Sequence, residues 1–431
     1  MTTTHYFIRP HSPLVFRSGR PFGAADDKGG EDQASYPLPS SVAGALRAAW
    51  VDGAGHCISA QDQTLLRLHV QGPLLARRST PLGADRLRPA NWQVYVPRPL
   101  DAIYQPPGNK GQCGLAQATP APMPEGCGSN LPAGLQPVMS KARGKPQPGP
   151  AHWPLDAMAQ WLGNELNELH PAQRGPHLPQ DVRSHVVIDS GSLTGIDQGI
   201  FQTVGLDFGA QPGDLGLLAS LHCAAPRQKI NKAVHHLESL DTGAAAGRMG
   251  RLGADGRAAQ FEALTDELPD TTCPEWLQEK LDALKMGDSF RVVLITPACY
   301  LRNGWVPDGL RPGNANGPAS PFEGCLVPLL HPERPTYAQG QANPHPQDWR
   351  LRLRAATLGR WMPLAASSTR NDEGDLQFTR RALRRLVPAG AIYWFEILQK
   401  GSQPLSNLWM ASTCRTDYAR DGFGLSLPGL A

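Results

Sequence analysis

Two arginines and two serines near the N-terminus have the types and spacing of an anion site. Arg17 and Arg20 leave a strand that begins near Leu14, and a stretch rich in acid and glycine (AADDKGGEDQAS) follows them. Ser40 and Ser41 then stand ahead of a run, residues 42–47, whose small residues read as the first turns of a helix. Serine at a helix N-cap takes up amide protons that lack an intrahelical acceptor. Small residues at a helix start let a phosphate or another backbone come close. Arg17, Arg20 and Arg47 would supply guanidinium forks, and Ser40 and Ser41 hydroxyl and amide donors. The same residues suit a plainer arrangement as well: a buried helix with a serine cap and two surface arginines.

Further along, GRMGRLGADGRAAQF sets Arg248, Arg251 and Arg257 among Gly247, Gly250, Gly253 and Gly256. Glycines permit positive φ, so successive amides can point at one phosphate. No GK[ST] follows, so this is not a Walker A loop; a mobile loop is the bland alternative. In RLRLRA, Arg350, Arg352 and Arg354 recur at period two and share one face of a strand. Arg380, Arg381, Arg384 and Arg385 form two i,i+4 pairs if the segment 378–386 is helical. Nucleic acid would satisfy these cations, and so would acids such as Glu373 and Asp375 or a partner subunit. Catalytic patterns are scarce. His235 and His236 are adjacent and make a poor metal pair. Asp26, Asp27, Glu31 and Asp32 read as a solvated loop more than a cation site. There is no HExxH and no GxSxG. His5, His11 or His185 could be offered as a general base, but no lysine or tyrosine partner is identifiable. The expectation is a chain without catalytic residues, metal or cofactor.

The elements that must position these residues alternate strand and helix. A first strand covers 5–16, a helix 40–50, and strands 65–78 and 92–96. Residues 101–150 are so rich in Pro and Gly that they read as a long inserted loop. A helix over 153–169 and two strands, 182–189 and 201–208, follow. The second half opens with a strand at 215–222, then a loop at 229–257, a helix at 276–285, and strands at 291–296, 349–356 and 391–398.

The chain has 431 residues, 40% hydrophobic and 18% charged, which excludes a disordered protein. A net charge of +3 is too small to demonstrate a polyanion partner. Of 41 basic residues 32 are arginine, the cation suited to phosphate and stacked bases, although a GC-rich genome raises Arg, Ala, Gly and Pro together. Eight cysteines include no CxxC pair, which argues against structural zinc. With no apolar signal core and no membrane-length apolar run, a cytoplasmic protein with reduced thiols is expected.

FR-x-GRPFG followed by P-x-PSS-x-AGALR resembles the N-terminal signature of the RAMP superfamily. In particular it is similar to the subunit of the type III-B (Cmr-type) CRISPR effector complex that holds the 5′ end of the guide RNA. VRSHVVID, with Arg183 and His185, resembles that family's mid-chain arginine strand. The glycine-rich segment is similar to its GGExR motif, with Asp255 at the glutamate position between Gly253 and Arg257. LITPACYLRNGWVPD, RLVPAGAIYWF and the terminal DGFGLSLPG match further elements in order. Residues 101–150 and 363–377 depart from the pattern.

The resemblance implies an α+β chain of two ferredoxin-like (RRM-like, βαββαβ) units packed side by side with long loop insertions. The first would span residues 1–210, with the Pro/Gly-rich insertion near 101–150, and the second residues 211–431, ending in a Gly-rich loop. It implies a non-catalytic subunit that binds the repeat-derived 5′ handle of crRNA and contacts the large polymerase-like subunit and the backbone RAMP subunits. The implied RNA contacts are Arg17, Arg20, Ser40, Ser41, Arg47, Arg183, His185, Arg251, Gly253, Arg257, Gly422 and Gly424. A RAMP endoribonuclease that processes precursor crRNA, and a purely structural adaptor, are the alternatives.

Overall fold

The computed structural model describes residues 3–16, 36–57, 64–79, 91–106, 113–140, 142, 144–210, 213–223, 227–230, 233–236, 240–254, 256–265, 268–300, 304–312, 322–330, 347–364, 367–368, 379–380 and 383–431. In chain order the elements used below are β1 (Thr3–Pro10), β2 (Leu14–Val15), α1 (Pro39–Ala54), β3 (Leu68–Ser79), β4 (Ala102–Gln105), β5 (Cys113–Pro120), α2 (Leu155–Leu162), β6 (Gln180–Ile188), β7 (Gly195–Leu206), β8 (Asp214–Cys223), β9 (Arg248–Arg251), β10 (Ala258–Leu264), α3 (Glu275–Asp282), β11 (Ser289–Leu294), β12 (Phe322–Gly324), β13 (Arg350–Thr357), β14 (Ile392–Gln399) and β15 (Leu425–Leu430).

The chain falls into two units, each built from three stretches. The first comprises Met1–Gln93, His177–Pro269 and Met362–Arg385, and the second Val94–Pro176, Asp270–Trp361 and Leu386–Ala431. The boundary near residue 210 read from the sequence therefore differs from this division. Both units draw on stretches from either side of it, because β8 is hydrogen-bonded between β1 and β3.

In the first unit the strand order is β9-β10-β1-β8-β3, all antiparallel. Tyr6, Phe7 and Ile8 at the centre of β1 are fully buried. Alternation sends Tyr6 and Ile8 to one face and Phe7 and Arg9 to the other. On the latter face Arg9 donates to Asp214 at 2.6 Å and Arg78 donates to it at 2.8 Å, while both also reach Glu262. The Arg78 guanidinium lies over the Phe7 and Trp92 rings at 5.1 and 5.4 Å. Helix α1 packs against β3 and β9 and buries Val42, Ala43, Leu46, Ala49 and Trp50. A smaller sheet in the order β6-β7-β2 makes β6–β7 a hairpin whose base is joined to β2 at Gly205↔Val15 and Leu206↔Leu14.

In the second unit β12-β13-β14-β11-β15 are likewise antiparallel neighbours. Helices α2 and α3 pack on β15. A side chain at Gly429 would meet Leu162 at 2.6 Å, so α2 lies directly on the β15 backbone. The 101–150 segment is more ordered than its composition suggests. β4 and β5 pair as a hairpin, and Asp101, Ala102 and Tyr104 are buried; residues 121–137 are the largely exposed coil expected of so much Pro and Gly, and Val138–Ser140 pairs again with β5. Asp101 faces Arg291 of β11 at 3.4 Å, both side chains 0% exposed. Trp161 Nε1 donates to Asp101 at 2.9 Å, and Arg291 donates to the Trp161 carbonyl at 2.5 Å and to Asn164 at 3.1 Å. The pair thus ties the insertion, the end of α2 and the central strand together.

The arginine stripe of β13 also finds its acids within this unit. Arg350 and Arg352 bond Glu323 at 3.0 and 2.8 Å, and Arg352 and Arg354 reach Glu396 at 3.4 and 3.7 Å. Neither acid is one that the sequence pointed to. The helix expected over 378–386 is absent among the described residues, where Thr379–Arg380 and Arg384–Leu386 are short strands. No helix among the described residues is long and apolar enough to cross a membrane.

Removing one member of the buried pair leaves the other charge stranded. Asp101→Asn should cost about 3–5 kcal/mol in urea unfolding, and Asp101→Leu combined with Arg291→Met should cost less than either single change. Three histidines set an acid limit. Burial lowers the pKa of His5 and His222 below 6.5 and pushes His152 down to about 4. The unfolded chain then binds protons that the folded chain refuses. The resulting stability is complete above about pH 6.5 and is lost as pH falls toward the folded values. The melting temperature should drop between about pH 7 and 5, and His152→Gln should flatten that slope.

Candidate nucleic-acid interface

Gly253 determines how the site is assembled. Its φ of +85° is the left-handed region, and a Cβ there would sit 2.6 Å from the Val15 carbonyl and 3.3 Å from the Phe16 ring. Only glycine fits without strain. The next amide, Ala254 N–H, donates to Val15 O at 2.8 Å, and Leu252 N–H donates to Arg257 O at 2.8 Å, which closes the 252–257 loop on itself. The loop therefore sits on the end of β2, opposite the first turns of α1. Between them lies an open cleft of about 380 Å³ whose lining includes Phe16, Ser40, Ser41, Gly44, Arg251 and Gly253.

Helix α1 forms the other wall. It starts at Pro39, with Leu38 at the N-cap and no side-chain cap bond. Ser40 and Ser41 are thus second and third in the helix and are not caps. Proline at the first position has no N–H to leave unpaired and is pre-set in φ, which frees both serine hydroxyls for the cleft. The helix ends at Gly55 in the left-handed conformation. Four contacts fix its pose. Arg47 donates to Leu68 O at 3.0 and 2.8 Å. Trp50 Nε1 donates to Asp241 O at 2.7 Å, and Asp52 pairs with Arg248 at 3.1 Å. A Cβ on Gly53 would come within 1.7 Å of Ala244 O, so backbone meets backbone there.

The cleft favours an anion. Arg251 lines it, is exposed and has no carboxylate partner among the described residues; Arg257, in the same loop but outside the lining, keeps a buried Nε without a hydrogen-bond partner. The positive end of the α1 dipole adds to this field. The described lining offers hydroxyls, amides, an aromatic ring and a guanidinium, which are binding groups.

The other residues singled out from sequence scatter. Arg17, Arg20, Asp255 and the acidic loop at 26–32 lie outside the described residues. Arg47 holds α1 to β3 and is half-buried. Arg183 and His185 lie on the β6–β7 hairpin, two and four residue pairs beyond its junction with β2. Arg183 donates to Asp181 at 2.6 Å; His185 bonds Thr203 at 2.8 Å and stacks on Phe201 with ring centroids 5.0 Å apart. Val182, Val186, Ile188 and Ile200 are exposed on the same ribbon.

Gly422 and Gly424 do not open a surface. Both are buried: Gly422 O accepts from Thr296 at 2.8 Å, and a Cβ on Gly424 would lie 2.5 Å from Cys414 Sγ. Their positive φ values serve internal packing. Phe16, Gly44 and Phe201 were not singled out from sequence. The F of FRxGRPFG was the only signal for the first, read there as the end of a strand.

The sequence model of the family described as "CRISPR-associated protein (Cas_Cmr3)" matches residues 6–430. No curated protein matches the chain. Among solved structures, a chain of "Cryo-EM structure of the Type III-B Cmr-beta bound to cognate target RNA and AMPPnP, state 1" is similar at 11% identity and a TM-score of 0.38, covering 90% of this chain and 86% of that one. A chain of "Cryo-EM structure of the Type III-B Cmr-beta bound to cognate target RNA" is similar at 12% identity and a TM-score of 0.39, with the same coverage. Likeness of that degree places no residue.

Gly253→Ala should lower stability by about 1–3 kcal/mol, because its Cβ would face the Val15 carbonyl and a left-handed backbone. Chemical denaturation would register the loss, and proteolysis should then cut the 252–257 loop sooner than in the parent protein.

Proposed function

The chain belongs to the Cas_Cmr3 family of CRISPR-associated proteins, a subunit family of the type III-B (Cmr-type) effector complex, and from that premise we propose that it is the non-catalytic subunit that binds the repeat-derived 5′ handle of crRNA. The observation that carries the reading is the convergence of Ser40 and Ser41 with Arg251 and Gly253, some 200 residues apart in sequence, on one cleft. Single-stranded RNA is bound by such mixtures of cation, hydroxyl and aromatic ring. The hairpin supports a second contact, since the His185–Phe201 stack and Arg183 share one face of it. The exposed aliphatic residues on the same ribbon suit contact with the other subunits, the large polymerase-like subunit and the backbone RAMP subunits. Ferredoxin-like units remain part of the proposal. What supports them is strand order: β10-β1-β8-β3 in the first unit and β15-β11-β14-β13 in the second each follow 4-1-3-2.

The test uses the full chain, guide RNA with and without an intact 5′ repeat handle, a salt series and EDTA. Binding should depend on the handle, weaken with salt and leave the RNA whole. Arg251→Ala should weaken binding and reduce the salt slope by about one. Equal affinity for both RNAs would favour the adaptor, and discrete cleavage products in EDTA would favour the endoribonuclease.

A further inference from the structure

Three glycines lie on α1 and the loop opposite it, and contacts among the described residues require only two of them. Gly53 meets Ala244 O and Gly253 meets Val15 O, so neither tolerates a Cβ. Gly44 is different. It is exposed in the second turn of α1, its φ is not positive, and among the described residues an added Cβ would find no atom within 4 Å. Glycine is the least favourable helix-interior residue after proline. Neither packing nor backbone geometry among the described residues accounts for it.

Gly44 lies one turn beyond Ser40, on the same helix face, and both line the cleft together with Arg251. We propose that Gly44 is a specificity-determining contact, where the sugar–phosphate backbone of the bound RNA rides directly against α1. The bare helix at 44 gives a strand van der Waals access that any side chain would block. The serine hydroxyls and the uncommitted guanidinium of Arg251 suit a phosphodiester better than the edge of a base. The inference rests on the RNA reading of the cleft.

The test compares Gly44→Ala, Gly44→Leu and Arg251→Ala in the full chain, with the chain's own crRNA 5′ handle as probe. Gly44→Ala should raise the melting temperature by about 1–2 °C and weaken RNA binding about tenfold, as expected of one methyl forced into a packed contact. Gly44→Leu should weaken it further. The loss should persist on a handle carrying abasic nucleotides. If both Gly44 variants bind like the parent while Arg251→Ala does not, the RNA uses the cleft without touching α1 at 44, and this inference fails alone. If Arg251→Ala also binds like the parent, the reading of the cleft fails and takes this inference with it. A loss that vanishes on abasic RNA would put a base at Gly44 and overturn the backbone assignment.

Discussion

The cleft depends on one backbone contact, the left-handed Gly253 lying on the carbonyl of Val15. It joins two strands that are distant in sequence. β2 is a two-residue strand held on its other side by the base of the β6–β7 hairpin, and β9 is the edge of the larger sheet of the first unit. Neither would define a wall alone. Closing the 252–257 loop onto the end of β2 sets Arg251 facing α1, and the pose of α1 is in turn fixed by backbone contact at Gly53 and by the side-chain bonds of Arg47, Trp50 and Asp52. Each wall therefore includes a close contact between main chains, which tolerates little adjustment.

How much of this was legible in sequence depended on whether the signal was local. The existence of the α1 helix was, although it runs over 39–54 and so beyond the 40–50 read from the small residues after the serines. The roles of Ser40 and Ser41 were not, because the sequence does not say whether a serine two residues after a leucine is the cap or lies inside the helix. The inner strands β1, β3, β8, β11, β13 and β14 were visible in their apolar runs, whereas β9, β10, β12 and β15 were not read as strands. The segment at 378–386 was misread because arginines at i and i+4 fit a helix face, while short strands are decided by pairing partners that local spacing does not reveal. The insertion was misread in its first 20 residues for a related reason. Asp101 looks like a surface residue until Arg291, 190 residues away, is placed beside it. The terminal glycines had the pattern of an open loop, yet both are buried, Gly424 against Cys414 and Gly422 with its carbonyl on Thr296.

Arginine abundance was the least informative feature of the chain, and the structure says why. Arg9 and Arg78 are matched by Asp214 and Glu262, Arg350, Arg352 and Arg354 by Glu323 and Glu396, and Arg291 by Asp101. These pairs cross-link strands, and a guanidinium already bonded to carboxylates has little left for a phosphate. Asp214 shows the balance: burial opposes its charge, yet hydrogen bonds from Arg9 and Arg78 outweigh that and hold its pKa below 3.8. Arg251 lacks such a partner among the described residues and also lines the cleft, a property of the fold and not of composition.

A cleft whose walls are fixed in advance carries a further consequence. An RNA strand that enters it gives up its own conformational freedom, but the protein has little left to lose, so more of the interaction energy appears as affinity. That economy requires a surface already shaped to the strand. The small residues of α1 and the glycine-bearing loop opposite provide such a surface, because a wall of long side chains would have to order itself around each ligand. If RNA is the ligand, walls fixed by the main chain and the charge of Arg251, the arginine among the described lining residues, would favour recognition of a backbone path over any one base.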